Sequence, residues 1–176
     1  MNIKLPALLI IISVSVLQAS LGEPATIYGI RPNLTLIAVY AFAVMGGEGR
    51  GILYGAIGGL VDDCLSGGMT GVFLSGYAIT GFLAGRIGKR VFNVGEAANF
   101  TGIFVLSMIQ GVYTAVMFNT FVEGYDLMGG IWRFALPSAA CNAVVGTLIL
   151  WLFKKRIARR VPWLKTIRHI KVHLQP

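Results

Sequence analysis

From Gly51 to Gly88 the chain reads GILYGAIGGLVDDCLSGGMTGVFLSGYAITGFLAGRIG, with glycine returning every three or four residues through otherwise apolar sequence. Lipid provides little hydrophobic drive between helices, so helix association there relies on close backbone approach, which small residues permit and large ones prevent. Gly51, Gly55, Gly58 and Gly59 make one such seam, ending just before Asp62; Gly81, Gly85 and Gly88 make another. A single GxxxG pair arises by chance in any Gly-rich membrane protein. Two seams flanking an Asp-Asp pair form a pattern, and we read Gly51, Gly55, Gly58, Gly59, Gly81 and Gly85 as helix-packing or partner-binding positions. The intervening LSGGMTG is uncharged and reads as a turn.

Composition supports the membrane reading. At 176 residues, 56% hydrophobic and 12% charged, with a mean hydropathy of +0.75, the chain has more apolar surface than one soluble core of ordinary make-up can hide. Cys64 and Cys141 stand far apart in apolar surroundings, in neither a metal-site nor a CxxC spacing, and read as packing residues.

Six apolar spans follow in order. The first runs from about Leu5 to Leu21, with a cleaved signal peptide as its alternative, Ala19 and Gly22 being weak cleavage sites. The second opens after Arg31-Pro32 and ends at a GGEGRG turn, Gly46 to Gly51. That turn lacks the Lys-Ser/Thr of a phosphate loop and reads as a hairpin connection. The second and third spans are short for a ~30 Å hydrocarbon core and predict a tight hairpin sheltered by longer helices. The fourth runs from about Met69 to Ile87, the fifth from Ala98 to Phe118 and the sixth from Ile131 to Phe153, with a bend at Pro137. Trp132, Trp151 and Trp163 fall near boundaries, where interface anchors sit.

The net charge of +8 would point to nucleic acid in a soluble protein, but here the bases bunch at helix ends. With the N-terminus cytoplasmic, the inner segments hold Lys4, Arg50, Arg86, Lys89, Arg90 and eight bases from Lys154 to Lys171, or thirteen of the fifteen, leaving Arg31 and Arg133 outside. That asymmetry predicts an N-in, C-in all-α membrane bundle of six helices over residues 1–153, followed by a basic tail at 154–176. In the tail, Lys154, Lys155, Arg156, Arg159 and Arg160 form a polybasic run suited to anionic lipid head groups. Trp163, Ile167, Ile170 and Leu174 then line one helical face, as in an interfacial helix or a docking helix for a cytoplasmic partner.

An enzyme would need a nucleophile and base, paired acids or metal ligands converging in one place. The spans contain no histidine; His169 and His173 lie in the tail. Asp62 and Asp63 are the only carboxylates within a span, and intramembrane carboxylates are candidate functional residues by default. Both fall in the last outer turn of the third span, at the depth where Arg31 opens the second, so a structural ion pair between Arg31 and Asp62 is expected. Asp63 points about 100° away, toward water or another helix. Gln110 and Asn142 fall at matching depth in consecutive spans and are expected to hydrogen-bond as an intramembrane polar pair that sets helix register. No catalytic set, metal site or cofactor follows from these residues.

Arg31-Pro32-Asn33-Leu34 opening an apolar run, then Gly51, Gly55 and Gly59 with Asp62, then Gly67-Gly68, then Gly81-Phe82-Leu83-Ala84-Gly85-Arg86, resembles MreD, the multi-pass rod-shape-determining family of bacteria. The resemblance covers roughly residues 30 to 90. The family often has Asp where this chain has Asn33. The resemblance implies a non-catalytic scaffold of the elongation (Rod) machinery in the cytoplasmic (inner) membrane. Such a scaffold binds the transmembrane helix of MreC and, through it, links the filament MreB to the glycosyltransferase RodA and its cognate class B penicillin-binding protein in peptidoglycan synthesis. It also implies a bundle like the substrate-binding component of energy-coupling-factor transporters. A small-molecule-binding importer subunit is therefore the alternative function.

Overall fold

The computed structural model describes residues 5–21, 32–67 and 70–160. Every regular element among them is helical: α1 (Leu5–Leu21), α2 (Leu34–Gly46), α3 (Glu48–Ser66), α4 (Val72–Val94), α5 (Glu96–Phe121) and a last rod, α6. Three consecutive segments make up α6: Leu127–Gly129, a π-helical stretch Gly130–Ala135, and Leu136–Arg160. The π turn immediately precedes Pro137, whose ring nitrogen cannot donate to the preceding turn, and there the Leu136 N–H reaches five residues back to the Ile131 carbonyl.

Connections this short force neighbours to run antiparallel. Gly47 alone joins α2 to α3, with φ at 83°, and Gly95 alone joins α4 to α5, with φ at 145°, backbone angles that glycine adopts without a side-chain penalty. The expected open turn from Gly46 to Gly51 is thus corrected: Gly46 ends α2, and Glu48 already begins α3. Nothing in EGRG after Gly47 breaks a helix, so the two helices close to a single-residue hinge. Likewise α4 continues past the expected Ile87 to Val94, and α6 runs on through the start of the basic run to Arg160.

The α3–α4 contact is the most extensive in the bundle, and α5–α6 the next. α2 is the innermost helix, touching α1, α3, α4, α5 and α6, and it carries no large exposed apolar side chain. Tyr40, Ala43 and Val44 of α2 pack with Ala84, Ile103, Leu106, Ala143 and Leu150 in one core, while Val39 joins Ala7, Ile11 and Tyr54 in another.

The outside of the bundle is apolar. Leu9, Leu17, Leu60, Ile79, Val105, Ile109, Leu148 and Leu152 are all exposed, while Ser15, Thr35, Asp63, Thr80, Asn99, Ser107, Gln110 and Asn142 are buried. Glu96–Phe121 and Leu127–Leu152 are long and apolar enough to cross a membrane, and only 33% of each apolar window is buried inside the bundle. A soluble protein's core helix would be covered by its neighbours; these present most of their apolar surface outward, as lipid-facing helices do. α1, α2 and α4 contribute shorter apolar stretches, Leu5–Ser20, Leu34–Gly46 and Val72–Gly88. Trp132 and Trp151 are exposed on α6. Cys141 is half-buried, but Cys64 is exposed on α3, contrary to the expected packing role, because it lies on the side of α3 away from the buried Asp63.

Candidate cavity and its polar network

The α3 seam meets α4 backbone to backbone. A Cβ added at Gly51 would fall on the Gly81 carbonyl, one at Gly55 on the Tyr77 carbonyl and one at Gly59 on the Phe73 carbonyl. Gly81 returns the contact onto the Gly51 carbonyl, and a Cβ on Gly85 would lie 2.6 Å from the carbonyl carbon of Gly47. Gly58 faces another way: its Cβ would stand 3.0 to 3.3 Å from the methyl groups of Ile11, Thr35 and Val39. The glycines proposed from sequence as one seam therefore serve two contacts, α3 on α4 and α3 on α1 and α2.

This close packing brings the two aspartates to the α4 start. Asp63 is 2% exposed and accepts the backbone N–H groups of Gly71 (2.9 Å), Phe73 (3.0 Å) and Leu74 (3.0 Å). A helix start leaves such donors unpaired, and Gly71, at the N-cap with φ 101°, has no side chain to take them. Asp63 thus caps α4 from a neighbouring helix, a role that its sequence position did not reveal.

Asp62 points the other way, into a polar network that joins all six helices. Its carboxylate accepts the Thr35 hydroxyl at 3.3 Å and the Tyr77 hydroxyl at 3.0 Å. Tyr77 OH accepts from Asn33 Nδ2, while the Asn33 backbone N–H donates to Asn142 Oδ1 at 2.6 Å. Asn33 Oδ1 accepts the Leu36 N–H at 2.8 Å as the N-cap of α2, and Gln18 Oε1 takes the Leu34 N–H at 2.6 Å, so α2 too is capped partly from outside itself. Arg31, the expected partner of Asp62, lies outside the described residues. The Lys154–Arg160 run lies on the last turns of α6, and the tail from 161 onward lies outside the described residues.

The network lines a cavity of about 360 Å³ at the end of the bundle where α2 and α4 begin and α1, α3 and α5 end. Gln110 and Asn142 both line it, but they do not bond to each other. Asn142 Nδ2 donates to Ser107 at 3.3 Å and Gln110 Nε2 to Thr114 at 3.2 Å. The expected amide pair is corrected: α5 and α6 are neighbours and both amides line the cavity, but each donates to a hydroxyl instead of to the other. Asn142 instead ties α6 to α2 and α5. Asn142→Leu is expected to destabilise the fold by about 1–3 kcal/mol, since the half-buried Asn33 N–H loses its acceptor; thermal unfolding in detergent, against wild type, measures it.

Among the described residues no cluster of His, Cys, Asp or Glu could hold a metal ion. An ion pair between Arg86 and Glu48, at 3.8 Å, is well exposed at the other end of the bundle. An exposed pair of this kind contributes at most about 1 kcal/mol.

A family model described as rod shape-determining protein MreD matches residues 1–159 of the chain. No curated protein and no solved structure matches it.

Proposed function

Because the chain belongs to the MreD family of rod shape-determining membrane proteins, we propose that it is a non-catalytic scaffold of the bacterial elongation machinery. The family match over residues 1–159 carries this reading. On it, the bundle spans the inner membrane six times with both termini inside and binds the transmembrane helix of MreC. MreC then connects it to MreB, RodA and the cognate class B penicillin-binding protein, and so to control of peptidoglycan synthesis. The outward-facing apolar sides of α1, α5 and α6 offer surface for a partner helix. Residues 1–153 form the membrane domain, and the basic residues Lys154, Lys155, Arg156, Arg159 and Arg160 open a tail that meets anionic lipid.

Orientation follows from the same proposal. In a background with Cys64 and Cys141 replaced by alanine, Asp126→Cys is expected to react with a membrane-impermeant maleimide applied from outside, and Arg159→Cys only after lysis. The opposite pattern would invert the topology. Depletion of the protein from a rod-shaped host that depends on it is expected to give round cells, restored by the wild-type chain; rods that persist through depletion would refute the role in shape.

A second reading has one observation of its own. The polar cavity of about 360 Å³ lies within the range of small-molecule sites. It suits a binding subunit built like the substrate-binding component of an energy-coupling-factor importer. A tightly bound small molecule that co-purifies together with a coupling ATPase would favour that reading over the scaffold.

A further inference from the structure

We propose that the cavity is a binding site for a compact primary ammonium group, held by the Asp62 carboxylate and Gln110 Oε1. This goes beyond the scaffold reading and does not depend on it.

The first observation is an acceptor with nothing to accept. Gln110 is 5% exposed and lines the cavity, its Nε2 is spent on Thr114, and its Oε1 is buried without a hydrogen-bond partner. Buried polar atoms are almost always paired, so an orphan on a side chain that lines the cavity points to a guest that supplies the missing donor. The fold also keeps room for this amide: a Cβ at Gly76 would stand 2.5 Å from Oε1 and 2.7 Å from Nε2.

The second observation is charge. Among the described residues lining the cavity there is one carboxylate, Asp62, and no Lys, Arg or His. That carboxylate accepts the Thr35 and Tyr77 hydroxyls and has the Ser15 hydroxyl beside it, which still leaves at least one of its four lone-pair sites open. A carboxylate on the wall of a bundle set in lipid is costly without a counter-charge. Phe73, Tyr77 and Phe134 also line the cavity and bring aromatic rings, whose faces attract cations, to its walls.

The unused groups are thus acceptors and the net charge is negative, so an anion or phosphate is disfavoured and a cation with N–H donors is favoured. A quaternary ammonium would meet the charge but leave Gln110 Oε1 unpaired. The ammonium can belong to a free amine or to the ethanolamine head group of a lipid.

The test is the melting temperature of the full chain in nanodiscs. In phosphatidylcholine discs, ethanolamine is expected to raise it in a saturable way, with choline at least about tenfold weaker, because one hydrogen-bonded acceptor separates the two. If the source is lipid, phosphatidylethanolamine discs raise it instead and added ethanolamine does nothing more. Either shift is expected to vanish in Gln110→Leu and in Asp62→Asn; since Leu at 110 removes a buried orphan, that variant should fold and remains informative if Asp62→Asn does not. Four results would overturn the proposal. These are no shift in wild type from ethanolamine or from its lipid, an equal shift from choline, a shift retained in Gln110→Leu, or a shift that appears only after Arg31→Gln, which would mean the chain's own guanidinium fills the site.

Discussion

Gly55→Leu is expected to abolish the folded bundle, and Gly55→Ala to destabilise it severely. A Cβ there would fall on the Tyr77 carbonyl of α4. Backbone cannot rotate away as a side chain can, so α3 and α4 would have to part along the whole seam that also holds Gly51 against Gly81 and Gly59 against Phe73. Overpacking a tight core costs about 1–3 kcal/mol or more, and a forced backbone separation belongs at or above the top of that range. Gly58→Ala is the control on the same helix. Its methyl would stand 3.0 to 3.3 Å from methyl groups of Ile11, Thr35 and Val39. Those can yield by small rotations, and alanine gains about 1 kcal/mol of helix propensity over glycine. Gly58→Ala should therefore stay within about 1 kcal/mol of wild type while Gly55→Ala loses several-fold in folded yield and resistance to denaturant. Equal behaviour of the two would show that the α3–α4 approach is looser than the carbonyl contacts imply.

Asp63→Ala carries the next largest effect. Three backbone donors at the start of α4 lose their acceptor together, in a position where Asp63 itself is 2% exposed. Each orphaned buried N–H costs about 1–3 kcal/mol, and the loss of negative charge at a helix N-terminus adds to it, so about 3–5 kcal/mol is expected after partial hydration. Against the roughly 5–15 kcal/mol that typically separates folded from unfolded states, this is a large share. Asp63→Asn keeps one acceptor oxygen and should lose roughly half as much. Asp62→Ala, which removes two hydroxyl contacts and no backbone cap, should cost less than Asp63→Ala. Unfolding of the three variants in one detergent measures the order, and a reversed order would overturn the cap.

What could be read from sequence was what repeats along a helix. The glycines at 51, 55 and 59 share a face by spacing alone, and a face of glycines in lipid can only be a place where another backbone arrives. That α5 and α6 are neighbours also followed from their order in the chain. Partners were not legible. Asp63 reaches across a turn to the start of α4, and its target depends on where Gly71 turns left-handed, which LSGGMTG does not specify. Ser107 and Thr114 take the amides, a side-chain pairing at the scale of ångströms that no periodicity encodes. The cavity is assembled from the ends of several helices, each ordinary in isolation. Length failed at the hinge: a run with four glycines in six residues reads as a loop, whereas Gly47 alone makes the turn.

The central claim, that this bundle serves as a scaffold in the shape machinery, is tested most directly by purifying the tagged, full chain from its native membrane and identifying what accompanies it. MreC is expected in near-stoichiometric amount from wild-type cells, and depleted when Gly55→Leu unmakes the bundle. Recovery of an importer's coupling ATPase in place of MreC would contradict the account.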